Sequence, residues 1–126
     1  MTTNNGSFSN WELEKMGEAL RPLLSLTGMV GYTAARNMRL VIDAIGEYVQ
    51  AKEGLLRKYG TETGDGSGSY AIKSGDEHFD EFMAEFAEIA SVRHEVSFHT
   101  LPAERLSDLV TGQQLLDCWF MVDDED

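Results

Sequence analysis

This 126-residue chain has one cysteine, two prolines and no long hydrophobic run. The single Cys118 excludes an intrachain disulfide, which fits a reducing compartment. No apolar stretch approaches the ~20 residues of a membrane-spanning helix. Met1 to Asn10 is polar and lacks the basic and apolar parts of a signal peptide, so the expected address is the cytoplasm of a bacterial cell, with no membrane partner. Basic residues are scarce after Gly60. Residues 1–60 carry seven Lys and Arg against six acids, whereas residues 61–126 carry only Lys73, Arg93 and Arg105 against sixteen acids. Binding a phosphate backbone requires clustered Lys and Arg, so this balance argues against direct nucleic-acid binding and against anionic membrane surfaces.

The chain has the means to fold. Hydrophobic residues make up 42% of it, too many for a disordered composition, and its length suits one domain spanning residues 1–126. Residues 1–8 and 123–126 are expected to be flexible, the latter because four consecutive acids repel one another. Ser9 and Glu12 fit a capping box, and Leu13, Met16, Leu20, Leu23 and Leu24 follow at helical spacing. Pro22 predicts a kink or a second short helix near Arg21. A turn is expected over Ser25 to Gly31.

The strongest periodicity runs from about Val30 to Tyr59. Met38, Val41, Ile45, Tyr48, Lys52, Leu55 and Tyr59 form a seam interrupted only by Lys52. Ile42, Val49 and Leu56 widen it, as in a globular helix. Gly46 and Gly54 each weaken the interior by ~1 kcal/mol relative to Ala. Gly60 is expected as a left-handed C-cap.

Residues 60–69 read as a flexible Gly-rich loop. The run Gly64 to Gly68 resembles phosphate-cradling loops, but a short strand follows instead of a helix, the loop carries an acid, no Walker lysine is present, and it lacks the ligand spacing of a calcium loop. Tyr70 and Ile72 suggest a short strand, with Val96 and Phe98 as its expected partner strand. Ser74, Gly75, Asp76 and Glu77 read as a second capping box that opens a helix to about Ser91. That helix carries Phe79, Phe82, Met83, Phe86, Ile89 and Ala90 on one face. Pro102 to Leu109 suggests a turn or short helix, and Thr111 caps a last helix bearing Leu115, Leu116, Trp119, Phe120 and Val122. The predicted fold is mainly α, of α+β type: a helical bundle or hairpin built on one long helix, with a small antiparallel β element.

Catalytic chemistry finds little footing. His94, Glu95, His99 and Cys118 have metal-ligand character, but His94 and His99 fall on opposite faces of a strand. Cys118 beside Trp119 reads as a small buried hydrophobe, not a nucleophile. No catalytic residue, metal or cofactor is expected. Trp11, Tyr32, Trp119 and Phe120 are candidate core or interface anchors. The candidate partner-binding residues are Asp76, Glu77, Asp80, Glu81, Glu85 and Glu88, whose carboxylates can engage grooves that normally hold phosphates.

Ala35-Arg36-Asn37-Met38, Leu56-Arg57-Lys58-Tyr59-Gly60, the Gly-rich loop leading to Tyr70-Ala71-Ile72, the acidic helix, Glu95-Val96 and Phe120-Met121-Val122-Asp123-Asp124 also carry a resemblance. Together they resemble a family of short phage- and prophage-encoded proteins of unknown function, the DUF1617 type. The likeness covers most of the chain after Thr27, and this chain departs from the pattern by its longer Gly-rich loop. It implies a mobile-element origin and carries over no catalytic residues. The expected function is a non-enzymatic inhibitor of a host nucleic-acid-binding defence machine. It would act like an anti-CRISPR protein, through an acidic surface that imitates nucleic acid and occupies a basic groove, as on a CRISPR effector. The alternative is a virion or assembly accessory protein that forms a homo-oligomer through an apolar helix face.

Overall fold

Two signals set the start of the chain. Residues 3–9 form strand β1 (Thr3–Ser9), and Ser9 then caps helix α1 (Asn10–Leu20). The computed structural model describes residues 3–123. The Ser9 hydroxyl accepts from the Glu12 N–H at 3.1 Å and the Glu12 carboxylate accepts from the Ser9 N–H at 3.0 Å, the reciprocal box expected here. Pro22 ends α1 as predicted. The chain tightens into a 3-10 turn over Arg21–Ser25, where proline occupies a first-turn position and its missing N–H costs nothing.

Helix α2 (Gly28–Tyr59) begins earlier than its periodicity suggests. Gly31 belongs to the helix, not to the preceding turn. A Cβ there would stand 1.8 Å from the Leu26 carbonyl oxygen, so only glycine lets the chain double back this tightly. After α2 come β2 (Thr61–Glu62), β3 (Tyr70–Ala71), α3 (Phe79–Ala90), β4 (Arg93–His99), β5 (Leu101–Pro102), α4 (Ala103–Leu106), α5 (Gly112–Asp117), a 3-10 turn (Trp119–Met121) and β6 (Val122–Asp123). The fold is therefore mainly α with small two-stranded sheets. The helix predicted from Thr111 stops at Asp117, although its Thr111–Gln114 capping box forms. Residues 1–2 and 124–126 lie outside the described residues, and so does most of the acidic tail.

The chain divides into two compact units, residues 3–45 with 93–123 and residues 46–92. The expectation of one 1–126 domain gives no hint of this. In the first unit, β1 pairs with β4 antiparallel, from Thr3↔His99 to Ser9↔Arg93. Two expectations are corrected here. Residues 3–8 are a paired strand, not a loose terminus, and β4 pairs with β1, not with the Tyr70–Ile72 segment. Alternation gave the correct inward side chains, since Val96 and Phe98 are both buried. The Phe98 ring lies 4.7 Å from Phe120 and 5.6 Å from Phe8. Gly17 lets α1 approach α2, because a Cβ there would come within 3.2 Å of Val41. β5 and β6 pair parallel, a second departure from a purely antiparallel element.

One buried side chain joins helix to ribbon. Asn37 of α2 donates from Nδ2 to the His99 carbonyl at 2.9 Å, and its Oδ1 accepts from the His99 N–H at 2.8 Å. Asn37 is fully buried and does for the end of β4 what a neighbouring strand would do.

In the second unit, β2 and β3 form an antiparallel hairpin around the Gly-rich loop. Asp65 organises that loop by accepting from the Ser67 N–H at 2.9 Å and from the Thr63 hydroxyl at 2.9 Å. Gly60 is not a left-handed cap. A Cβ there would lie 2.5 Å from the Leu56 oxygen and 2.7 Å from the Ala71 oxygen, so the close approach of β3 selects glycine. The interruption at Lys52 is also explained, because its ammonium lies over Phe86 at 5.6 Å and Tyr48 at 5.9 Å.

Asn37→Ala leaves both His99 backbone groups without their partner, and should lower unfolding free energy by about 3 kcal/mol. Gly46→Ala and Gly54→Ala should each raise it by about 0.5–1 kcal/mol, since a Cβ at either position meets nothing within 4 Å. Urea denaturation of the three variants measures all these shifts.

Candidate functional site

The six candidate carboxylates do not share one environment. The predicted capping box over Ser74 to Glu77 does not form. Gly75 adopts φ +98°, and the Asp76 carboxylate turns back to accept from the Lys73 N–H at 2.8 Å. The helix starts later, at Phe79, with His78 before it and no side-chain cap. Asp76 and Glu77 therefore sit on the turn leading into α3, while Asp80, Glu81, Glu85 and Glu88 sit on α3 itself.

Helical spacing places those four on one side, opposite Phe82 and Phe86, whose rings stack at 5.7 Å. Met83, expected on the apolar face, is exposed. Two of the acids are engaged internally. Glu81 accepts from His78 Nδ1 at 2.7 Å. Glu85 accepts a short hydrogen bond from the Tyr59 hydroxyl and pairs with Lys58 at 3.7 Å. The carboxylates of Glu77, Asp80 and Glu88 have no hydrogen bond or salt bridge among the described residues, and the three residues are exposed. The stretch 74–92 contains no Lys or Arg to neutralise them. This arrangement makes a negative, solvent-facing surface.

Elsewhere the reactive side chains are tied up. Cys118 is buried and donates to the Ala19 carbonyl at 3.2 Å, and burial pushes its thiol up to about 11. His94 Nε2 donates to Asn10 Oδ1 at 2.9 Å. Among the described residues no three His, Cys, Asp or Glu side chains gather as metal ligands would, and no helix is long and apolar enough to cross a membrane.

Composition alone did not distinguish the anchors. Phe120 is fully buried, whereas Trp11, Tyr32 and Trp119 are exposed. No family model matches the chain, and neither a curated protein nor a solved structure matches it. Its functional reading rests on its own residues.

The histidines provide a pH test with opposite signs. The Glu81 hydrogen bond holds His78 above the ordinary histidine value, while burial and the Arg36 charge push His99 below it. The His78 contribution to stability is present below the unfolded value and lost as pH rises through the folded one. The His99 contribution is present above the unfolded value and lost as pH falls through the folded one. NMR titration should order the two as His78 above His99, and Glu81→Gln should return His78 toward the ordinary value. Cys118 should react with a thiol reagent only on unfolding.

Proposed function

We infer that this protein is a non-enzymatic binding protein encoded by a phage or mobile element, acting in the cytoplasm of its bacterial host. It inhibits a host nucleic-acid-binding defence machine by placing α3 in a basic groove, in the manner of an anti-CRISPR protein. The observation that carries this reading is the set of exposed carboxylates Glu77, Asp80 and Glu88 in a stretch with no Lys or Arg. Asp80 and Glu88 on α3, with Glu77 on the turn before it, can form charge-assisted hydrogen bonds with Arg and Lys. The mobile-element origin is carried by the sequence resemblance alone, since no family model matches the chain.

A second reading also has an observation in its favour. Ile42 and Val49, seven residues apart on the 32-residue α2, are 56% and 45% exposed. An apolar helix face of this kind suits a virion or assembly protein that pairs with its own copies, leaving the acidic helix as a solvated surface.

The two readings respond oppositely to salt and to mutation. Tagged protein should capture a basic, nucleic-acid-binding host protein from lysate, less so as salt rises. The triple reversal Glu77→Lys, Asp80→Lys, Glu88→Lys should reduce that capture about tenfold or more. Ile42→Asp with Val49→Asp should leave it intact. Self-association that persists at high salt and is lost in the Ile42/Val49 variant would instead establish the assembly reading.

A further inference from the structure

Both tryptophans of the chain open onto one cleft in the first unit. Trp11 stands in the first turn of α1 and Trp119 in the 3-10 turn after α5, and they are 49% and 55% exposed. With Phe8 they line a solvent-open cleft of about 480 Å³. Two half-exposed indoles on one cleft are a costly surface to leave in water, and tryptophan is the residue most enriched at binding hot spots. The cleft wall also carries the carboxylates of Glu12, Glu18 and Asp117; Arg93 pairs with Glu12 at 3.5 Å, and Lys15 stands against Glu18.

The cleft already displays the kind of group its surface holds. The Lys15 ammonium lies 5.5 Å from the centre of the Trp11 ring and 3.7 Å from Glu18. Ring face and carboxylate together hold a positive charge. Trp119 has no such occupant among the described residues. Its ring is oriented by Phe8 at 6.4 Å and by Phe120 at 6.0 Å, edge to face. Asp117 accepts from the neutral Gln113 amide at 2.9 Å and has no salt bridge among the described residues. On the other side of Trp119 a second shallow cleft continues over Leu115, Leu116 and Val122, with Leu116 largely exposed.

We propose that this cleft binds an arginine side chain presented by an extended segment of a partner protein, with the guanidinium on Trp119, its charge met by Asp117 and Glu18, and an apolar neighbour on Leu116. An anionic ligand is repelled by the Asp117 carboxylate, while Glu12 and Glu18 already face Arg93 and Lys15. A purely apolar segment would cover those carboxylates without supplying a counter-charge. Arginine is preferred to lysine because its flat, weakly hydrated guanidinium stacks on an indole and forks onto a carboxylate. None of these residues lies in α3, so the site stands whether or not the acidic face binds a groove.

The test titrates the full-length protein with the peptide acetyl-Gly-Arg-Leu-Arg-Gly-amide and, in parallel, its neutral counterpart with glutamine in place of arginine. The indole N–H resonances of Trp11 and Trp119 report directly from the cleft. The arginine peptide should shift Trp119 saturably, and the glutamine peptide should not. Glu18→Gln, Asp117→Asn and Trp119→Leu should each weaken binding about two- to fivefold, and Lys15→Ala, which removes the competing cation, should tighten it by a similar factor. Asp80→Lys with Glu88→Lys should leave the Trp119 shift in place. Equal shifts with the glutamine peptide would overturn the proposal, as would no shift at millimolar peptide. A response that survives Glu18→Gln/Asp117→Asn but disappears when α3 is reversed would also overturn it, since the arginines would then be reading the acidic helix.

Discussion

The two hydrogen bonds between the Asn37 side chain and the His99 backbone are the constraint on which the first unit depends. They face away from β1, so they identify which backbone groups of β4 point outward and thereby fix the strand's orientation beside α2. With that orientation set, Phe98 turns inward onto Phe8 and Phe120, and Val96 follows two residues earlier. A slip of one residue would put Val96 and Phe98 in water and His99 and Ser97 in the core. A buried amide serves this purpose better than an apolar residue, because it satisfies a donor and an acceptor that a two-stranded ribbon leaves open at its edge.

The acidic second unit uses part of its charge to hold itself together. Glu85 sits at the boundary between the polar and apolar sides of α3, where Tyr59 and Lys58 from the end of α2 can reach it. Lys58 is raised above the ordinary lysine value, first by its hydrogen bond to Tyr59 and then by the Glu85 charge. Its ammonium also lies 4.8 Å from the Tyr59 ring. Glu81 is engaged by His78 one turn earlier. The exposed acids without a salt bridge among the described residues are Glu77, Asp80 and Glu88. A run of like charges is thus sorted into structural and available members by where the neighbouring cations happen to be.

Local signals were legible wherever their partners were close in sequence. The Ser9–Glu12 and Thr111–Gln114 boxes formed because each needs only a four-residue window, and Pro22 ended α1 by removing its own N–H. Ser74 to Glu77 has the same residue types but not the same outcome. Gly75 takes a positive φ, and Asp76 uses its carboxylate on the Lys73 amide, so the capping geometry is lost before the helix begins. Alternation in β4 identified its buried face correctly but could not identify β1 as the partner, because pairing joins residues about ninety positions apart in the chain. Polar, glycine-containing residues 3–8 gave no strand period of their own; the Phe8 ring packs back over Gly6, a contact that composition does not announce.

Spacing and count along the chain determined the long helix, the buried seam of Val41, Ile45 and Tyr48, and the acidic surplus. Tertiary structure alone decided which acids are free, which tryptophans stay in water, where β4 finds its partner and why Gly31 and Gly60 must be glycine. These are distances between segments remote in sequence or backbone approaches closer than a side chain permits, and neither leaves a period or a composition to read.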